Sequence, residues 1–289
     1  MKPAPFDYYR AESVKDAVAL LQEHGPEAKI LAGGQSLLPM MKLRLARPGV
    51  LVDINRVRDL QYVRAGDDRL AFGAMARLDT LDGDTVRRQS PMLAEAARHI
   101  AHAAIRHRGT VCGSIAHSDP AAELPILALA LNAELVAVGP RGARVVSARD
   151  FFVTYLTTSL GVDELLVEAR FPALPSNAGW AFLELSRRPG DFAIVAVAAV
   201  LERTGDAIAR ARIALGAVAD RALRSEAAEA ALVGQPGRAE TFESAARLAA
   251  DPLAPPTDVH GSSAYRKHLA QVLVRRALAQ AWERTVATR

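Results

Sequence analysis

The sequence predicts an α+β fold in two domains, and three observations predict it. Up to about residue 177, strand-length apolar runs, several joined by hairpin turns, are interleaved with runs at helical spacing. The segment Pro172–Ala178, with two prolines, breaks that pattern. Beyond it come three strand-length runs and then three helices. The length of 289 residues suits about two domains, and 50% hydrophobic residues are ample for a core. The expected division is 1–177, itself split into subdomains of about 1–57 and 58–177, and 178–289.

The elements follow in order. Ser13 reads as a helix N-cap, with Val14, Ala17, Val18 and Leu21 on one face and His24-Gly25-Pro26 as the stop. A short strand, Lys29–Ala32, runs into Gly33-Gly34-Gln35-Ser36 and a helix over Leu37–Leu45; Val50–Ile54 is a second strand. Gln61–Ala65 and Leu70–Ala74 read as a hairpin around Gly66-Asp67-Asp68. Pro91 opens a helix reaching His102, and Arg106–Pro120 reads as turns leading to a helix over Ala121–Leu131. Leu135–Val138 and Ala143–Val146 form another hairpin, and Leu165–Phe171 a further strand. The second domain reads as a three-stranded antiparallel sheet, Trp180–Ser186, Phe192–Leu201 and Ile208–Leu215. Its helices are expected at about Arg221–Leu232, Glu240–Ala249 and Ser262–Val286.

Composition excludes several classes. Lys plus Arg number 36 against 32 Asp plus Glu, net +4, spread without the basic stripe that nucleic-acid binding needs. The longest apolar run falls far short of the ~18 residues that span a bilayer. The N-terminal residues lack the apolar stretch of a signal peptide, so the expectation is a cytoplasmic protein. The single cysteine, Cys112, rules out an internal disulfide, a zinc ribbon and a four-thiolate iron–sulfur cluster. Any metal–sulfur redox centre linked to this chain sits on another chain.

Two segments carry candidate chemistry. In Ala32-Gly33-Gly34-Gln35-Ser36-Leu37 a strand ends in two glycines ahead of a helix, so backbone N–H groups can approach a phosphate with no Cβ in the way. A plain strand–turn–helix is the competing reading. In Thr110-Val111-Cys112-Gly113-Ser114, glycines again flank small residues ahead of a helix, with Asp119 and Glu123 at its start. Those two acids read equally as an N-cap and its capping-box partner. Two such turns suit a ligand with two phosphates. Neither G-x-G-x-x-G nor a P-loop motif occurs. Other readings are a metal site of His99 and His102, three apart on the expected helix, with Asp119 or Glu123, and a nucleophilic Cys112. Arg187-Arg188 reads as a grip on an acidic partner or a phosphate, or as a solvated turn.

Ala32–Pro39 and Gly109–Ser114, with Pro5-Phe6-Asp7-Tyr8, Val52-Asp53-Ile54, Phe72-Gly73-Ala74, Arg187–Ala193 and Ala264-Tyr265-Arg266, resemble the FAD-binding medium subunit of the molybdenum hydroxylases. The resemblance covers essentially the whole chain. It implies a two-subdomain FAD-binding domain of the p-cresol methylhydroxylase type, with a smaller C-terminal α+β domain over the flavin ring. It implies that Ala32–Leu37 (Ala32, Gly33, Gly34, Gln35, Ser36, Leu37) and Thr110–Ser114 (Thr110, Val111, Cys112, Gly113, Ser114) hold the pyrophosphate. Ala74 would join the cofactor-binding set. Glu123 would meet the ribityl chain with Asp119 as helper, Leu165 or Leu166 would pack on a ring, and Phe192 would lie beside the isoalloxazine. No residue of the chain would be a catalytic acid or base, and none would bind a metal. The implied partners are a molybdenum-cofactor large subunit and a 2Fe-2S small subunit in a dimer of heterotrimers. The implied function is electron transfer from those clusters through FAD to an external acceptor. A stand-alone flavin reductase and a scaffold that has lost FAD are the alternatives.

The chain departs from the family pattern at four places: Cys112 replaces a glycine, Phe192 a residue often Tyr, Leu183 or Glu184 a frequent Lys, and His107 a commoner Asn. Valine at Gly33 or Gly34 is expected to abolish flavin retention while leaving the fold largely intact.

Overall fold

The structure is a computed structural model that describes residues 2–286. Met1 and residues 287–289, which the expected domain ranges include, lie outside the described residues. Three layers of sheet organise the chain. The first is a small parallel sheet of β1 (Asp7–Arg10), β2 (Ala28–Leu31) and β3 (Val50–Asp53), in the order β1-β3-β2. Helix α1 (Val14–His24) crosses between β1 and β2. As expected, Ser13 caps it, its side chain accepting the Asp16 amide at 3.1 Å, and Gly25 (φ 52°) ends it. Helix α2 (Leu37–Lys42) follows the Gly-Gly turn.

The second sheet is antiparallel: β4 (Val63–Ala65), β5 (Arg69–Gly73), β6 (Glu134–Gly139), β7 (Gly142–Ser147) and a long strand, Leu165–Pro172. Between them run α3 (Asp84–Gln89), α4 (Pro91–Ala96), α5 (Ala103–Arg106), α6 (Val111–His117), α7 (Glu123–Ala130) and α8 (Ala148–Phe151). A two-stranded ribbon, β8 (Phe152–Thr154) and β9 (Thr157–Thr158), precedes the long strand, which is β10. The order is β4-β5-β10-β6-β7, so both expected hairpins sit at the edges and β10 fills the centre.

The third sheet is an antiparallel meander of β11 (Ala178–Ser186), β12 (Ala193–Thr204), β13 (Ala207–Gly216) and β14 (Leu223–Arg224). Helices α9 (Glu226–Leu232), α10 (Ala239–Ala250) and α11 (Ser263–Val286) follow. Strand β12 is apolar without alternation because both its faces are covered. Ala196, Ala198 and Val200 join the core shared with the first two sheets. Val195, Val197, Ala199 and Leu201 face a separate core with α9, α10 and α11. The two halves are also tied by Arg284, whose guanidinium bonds Glu95 (3.1 Å) and the Trp180 carbonyl (3.0 Å) and lies 3.9 Å from the Trp180 ring centroid.

Three expectations need correction. The C-terminal sheet has four strands, because Leu223 and Arg224 pair with Leu215 and Ala214 of β13; α9 therefore starts at Glu226, not at residue 221. The helix opened by Pro91 stops at Ala96, and Ala101 takes φ 42°, so His102 caps α5 instead of sharing a helical face with His99. The stretch Arg106–Pro120 is not turns alone, since it contains α6, started by Thr110, whose hydroxyl accepts the Gly113 amide at 3.1 Å. No helix among the described residues is long and apolar enough to cross a membrane.

Candidate functional site

A cleft of about 710 Å³ runs between the first two sheets and the edge of the third, within the usual size range of cofactor sites. All the expected cofactor residues except Val111 line it. Val111 is the correction: it is fully buried in the main core, and its amide donates to the Ala76 carbonyl at 3.0 Å. As the first residue of α6, it turns its side chain away from the cleft that its neighbours line.

The first segment leaves β2 at Leu31 and turns through Gly34, which takes φ +71° as only glycine does cheaply. The Gln35 side-chain amide folds back onto the Gly33 carbonyl at 3.1 Å. No hydrogen bond among the described residues engages the backbone amides of Gly33, Gly34, Gln35 or Ser36. Four successive free amides at a cleft wall form a concave positive surface suited to an anion. Among the described residues the only basic side chains lining the cleft are Lys29 and His117, so a phosphate bound here would rest chiefly on backbone amides and hydroxyls.

The second segment lies directly against the first. Gly109 and Thr110 pair with the chain at Arg77 and Leu78, the Leu78 amide donating to the Gly109 carbonyl at 2.9 Å. A Cβ on Gly33 would stand 2.4 Å from the Arg108 carbonyl oxygen and 2.7 Å from the Gly109 Cα. Ser114 adds a hydroxyl to the cleft lining. Cys112 turns its side chain inward: it is 2% exposed, with Sγ 3.6 Å from the Phe72 carbonyl oxygen. Burial pushes its thiol well above the usual range, which removes its nucleophilic form. Thiol reagents are therefore expected to leave the native chain unlabelled and to label one thiol in urea; rapid labelling of the folded protein would contradict this placement.

The acids behave differently from one another. Asp119 is not the cap of α7; its Oδ1 accepts the Ala121 amide at 2.9 Å, one turn earlier. Glu123 begins α7, is 7% exposed, and has its carboxyl raised to about 7 by burial, with the Asp119 charge adding to the effect. Glu184 on β11 is raised to about 8 by burial and by the charge of Glu123, and both its carboxyl oxygens are buried without a hydrogen-bond partner. It does not line the cleft, and neither does Leu183. The His117 imidazole is held below its ordinary value by burial, against the pull of Asp119. Leu165 and Leu166 form an apolar wall, and Phe192, 66% exposed just before β12, stands at the rim beside Gly190 and Asp191.

Sequence reading missed the ribbon residues Leu156, Thr157 and Thr158, which close one side of the cleft. Two-residue strands leave no periodicity to detect. It also missed Asn55 and Arg77, whose contacts join segments far apart in sequence. Among the described residues no group of three or more His, Cys, Asp or Glu side chains is placed to hold a metal ion.

A cleft with apolar walls and a run of free backbone amides suits a phosphate-bearing cofactor. Residues 4–174 match the family described as the FAD binding domain in molybdopterin dehydrogenase, and residues 180–281 match the CO dehydrogenase flavoprotein C-terminal domain. The carbon monoxide dehydrogenase medium chain of Hydrogenophaga pseudoflava is 41% identical over 98% of this chain and 99% of its own. The 6-hydroxypseudooxynicotine dehydrogenase complex subunit alpha of Paenarthrobacter nicotinovorans is 42% identical over 100% of this chain and 98% of its own. A solved structure of the Hydrogenophaga pseudoflava carbon monoxide dehydrogenase superposes with TM-score 0.96 at 44% identity, covering 98% of this chain and 99% of that one. The chain belongs to the FAD-binding medium subunits of the molybdenum hydroxylases, of the carbon monoxide dehydrogenase type. The free amides, the scarcity of basic side chains and the apolar walls fit the pyrophosphate and rings of FAD.

Proposed function

We propose that this chain is the electron-transfer subunit of a molybdenum hydroxylase, holding FAD between a 2Fe-2S small subunit and an external acceptor. A molybdenum-cofactor large subunit would oxidise the substrate, in a dimer of heterotrimers. FAD, when bound, supplies the step between one-electron carriers and a two-electron acceptor. The observation that carries this reading is the run of free amides at Gly33–Ser36 in a cleft almost without basic side chains. The Gly33–Ser36 amides, with Ser114, would hold the pyrophosphate, and Glu123 the ribityl chain. Leu165 and Leu166 would pack on ring surface, and Phe192 would shield the isoalloxazine edge. With one cysteine, buried and unpaired, the chain supplies no cluster ligands of its own, and a reduced thiol is compatible with the cytoplasm. We place the domain division at 177/178, with subdomains meeting near residue 57.

The test is purification with and without its neighbours. The expected result is a yellow chain carrying one releasable FAD, co-purifying with two further subunits and without steady NAD(P)H oxidation when alone. A colourless chain that takes up no FAD would overturn the cofactor role and leave a scaffold. Turnover of NAD(P)H by the isolated chain, with no partners, would instead identify a stand-alone reductase.

A further inference from the structure

Outside the cleft lining lies a polar bracket that neither the family match nor the cleft explains. Asn55 follows β3, and its side-chain amide donates to the Ala32 carbonyl at 2.8 Å and, more weakly, to Leu31 at 3.4 Å. Its own position is fixed by Asp53, whose Oδ1 accepts from the Asn55 backbone amide at 2.8 Å and from its side chain at 2.6 Å. The Asn55 Oδ1 in turn accepts from Arg77 Nη2 at 2.9 Å. The second terminal nitrogen of Arg77, Nη1, donates to the Arg108 carbonyl. One guanidinium and one carboxamide thus join the carbonyl before Gly33 to the carbonyl before Gly109. They do so at the place where the two segments touch at Gly33. Neither Asn55 nor Arg77 lines the cleft.

The consequence follows from peptide geometry. In a trans peptide the C=O and the following N–H point to opposite sides. Holding the Ala32 carbonyl toward Asn55 therefore turns the Gly33 amide the other way. Burial lowers the Arg77 pKa, with the charge of Arg108 adding to this. A fork-shaped donor suits two acceptors at a fixed spacing, which a lysine cannot span.

We propose that Arg77 and Asn55 are positioning residues that lock the two phosphate-holding segments into one cradle for the FAD pyrophosphate. This rests on the reading of the cleft as the FAD site. Binding of FAD and of riboflavin, which lacks both phosphates, to the full-length flavin-free chain tests it. Wild type is expected to bind FAD far more tightly than riboflavin. Arg77→Met and Asn55→Ala are each expected to weaken FAD by about tenfold or more while riboflavin affinity stays unchanged. The double variant is expected to lose no more than the worse single, because both remove one bracket. Arg77→Lys, keeping the charge and one bond, is expected to fall between wild type and Arg77→Met. Unchanged FAD affinity, an equal loss for riboflavin, or fully additive losses would each overturn the bracket. A wild-type chain with no preference for FAD over riboflavin would overturn the cradle itself, and the bracket's role with it. Should circular dichroism show Arg77→Met unfolded, Arg77→Lys decides: a loss confined to FAD supports the proposal, and wild-type affinities overturn it.

Discussion

Gly33→Ala is expected to release FAD from the protein and to cost the fold about 1–3 kcal/mol, the range for overpacking a close-fitted site. The added methyl meets backbone, not a movable side chain: the Arg108 carbonyl oxygen at 2.4 Å and the Gly109 Cα at 2.7 Å. Relief requires the first segment to part from the second, and the contact broken is the one that brings together the two segments proposed to hold the phosphates. Binding and stability should therefore fall together. Gly34 provides the contrast. The nearest atoms to a Cβ there are in the side chains of Leu38 and Leu31, at 3.0–3.2 Å, but the residue holds φ +71°. Gly34→Ala is expected to cost roughly 1–2 kcal/mol of backbone strain, with a smaller effect on FAD. Flavin content after gel filtration and urea midpoints check both. A Gly33→Ala protein that keeps its flavin and its midpoint would refute the packing argument. Valine at Gly33 is expected to disturb the fold as well as flavin retention, against the expectation from sequence, because its side chain would meet the backbone of the neighbouring segment.

That difference marks what a sequence can show of such a site. Gly33-Gly34 stands out as a candidate because two glycines lie between a strand and a helix, but a plain turn reads the same way, and only the family resemblance favours a phosphate there. Glu123 reads from its position equally as a capping-box partner, and its cofactor role is implied only by the family resemblance. What Gly33 packs against was not visible, since Arg108 lies 75 positions away and only the fold brings it there. Asn55 and Arg77 escaped for the same reason, each being an ordinary polar residue after a strand. The sequence predicts a longer helix from Pro91 than the structure has, because alanine-rich sequence favours helix throughout. The turn at Ala101 (φ 42°) has no glycine to announce it. Strand β14 is only two residues long, below any periodicity, and exists because β13 offers Leu215 and Ala214 as partners.

The flavin-free chain is expected to lose stability between about pH 6.5 and 8, and the pair Glu123 and Glu184 sets the sign. Both carboxyls are raised in the folded state, to about 7 and about 8, mainly by burial. Above the unfolded carboxylate range the native protein holds protons that the unfolded chain has released. Stability then falls as pH rises, until each folded group ionises. His99 and His117 act the opposite way, since burial lowers both; they destabilise the fold only below their unfolded value of about 6.5. Below pH 6.5 the two effects oppose each other, and above it the histidine effect fades within about one pH unit and the acids prevail. One proton retained across this window is worth up to about 2 kcal/mol, and about 1 kcal/mol once the partial exposure of Glu184 is allowed for. Urea midpoints at pH 6.5 and 8 measure the fall, and a flat or rising profile would refute it. Glu184→Gln should flatten most of the slope, because it removes the higher of the two raised groups. Its oxygens have no hydrogen-bond partner to lose, so the variant is expected to match or exceed wild type at pH 8. The Glu184 carboxyl is thereby a stability cost that grows with pH.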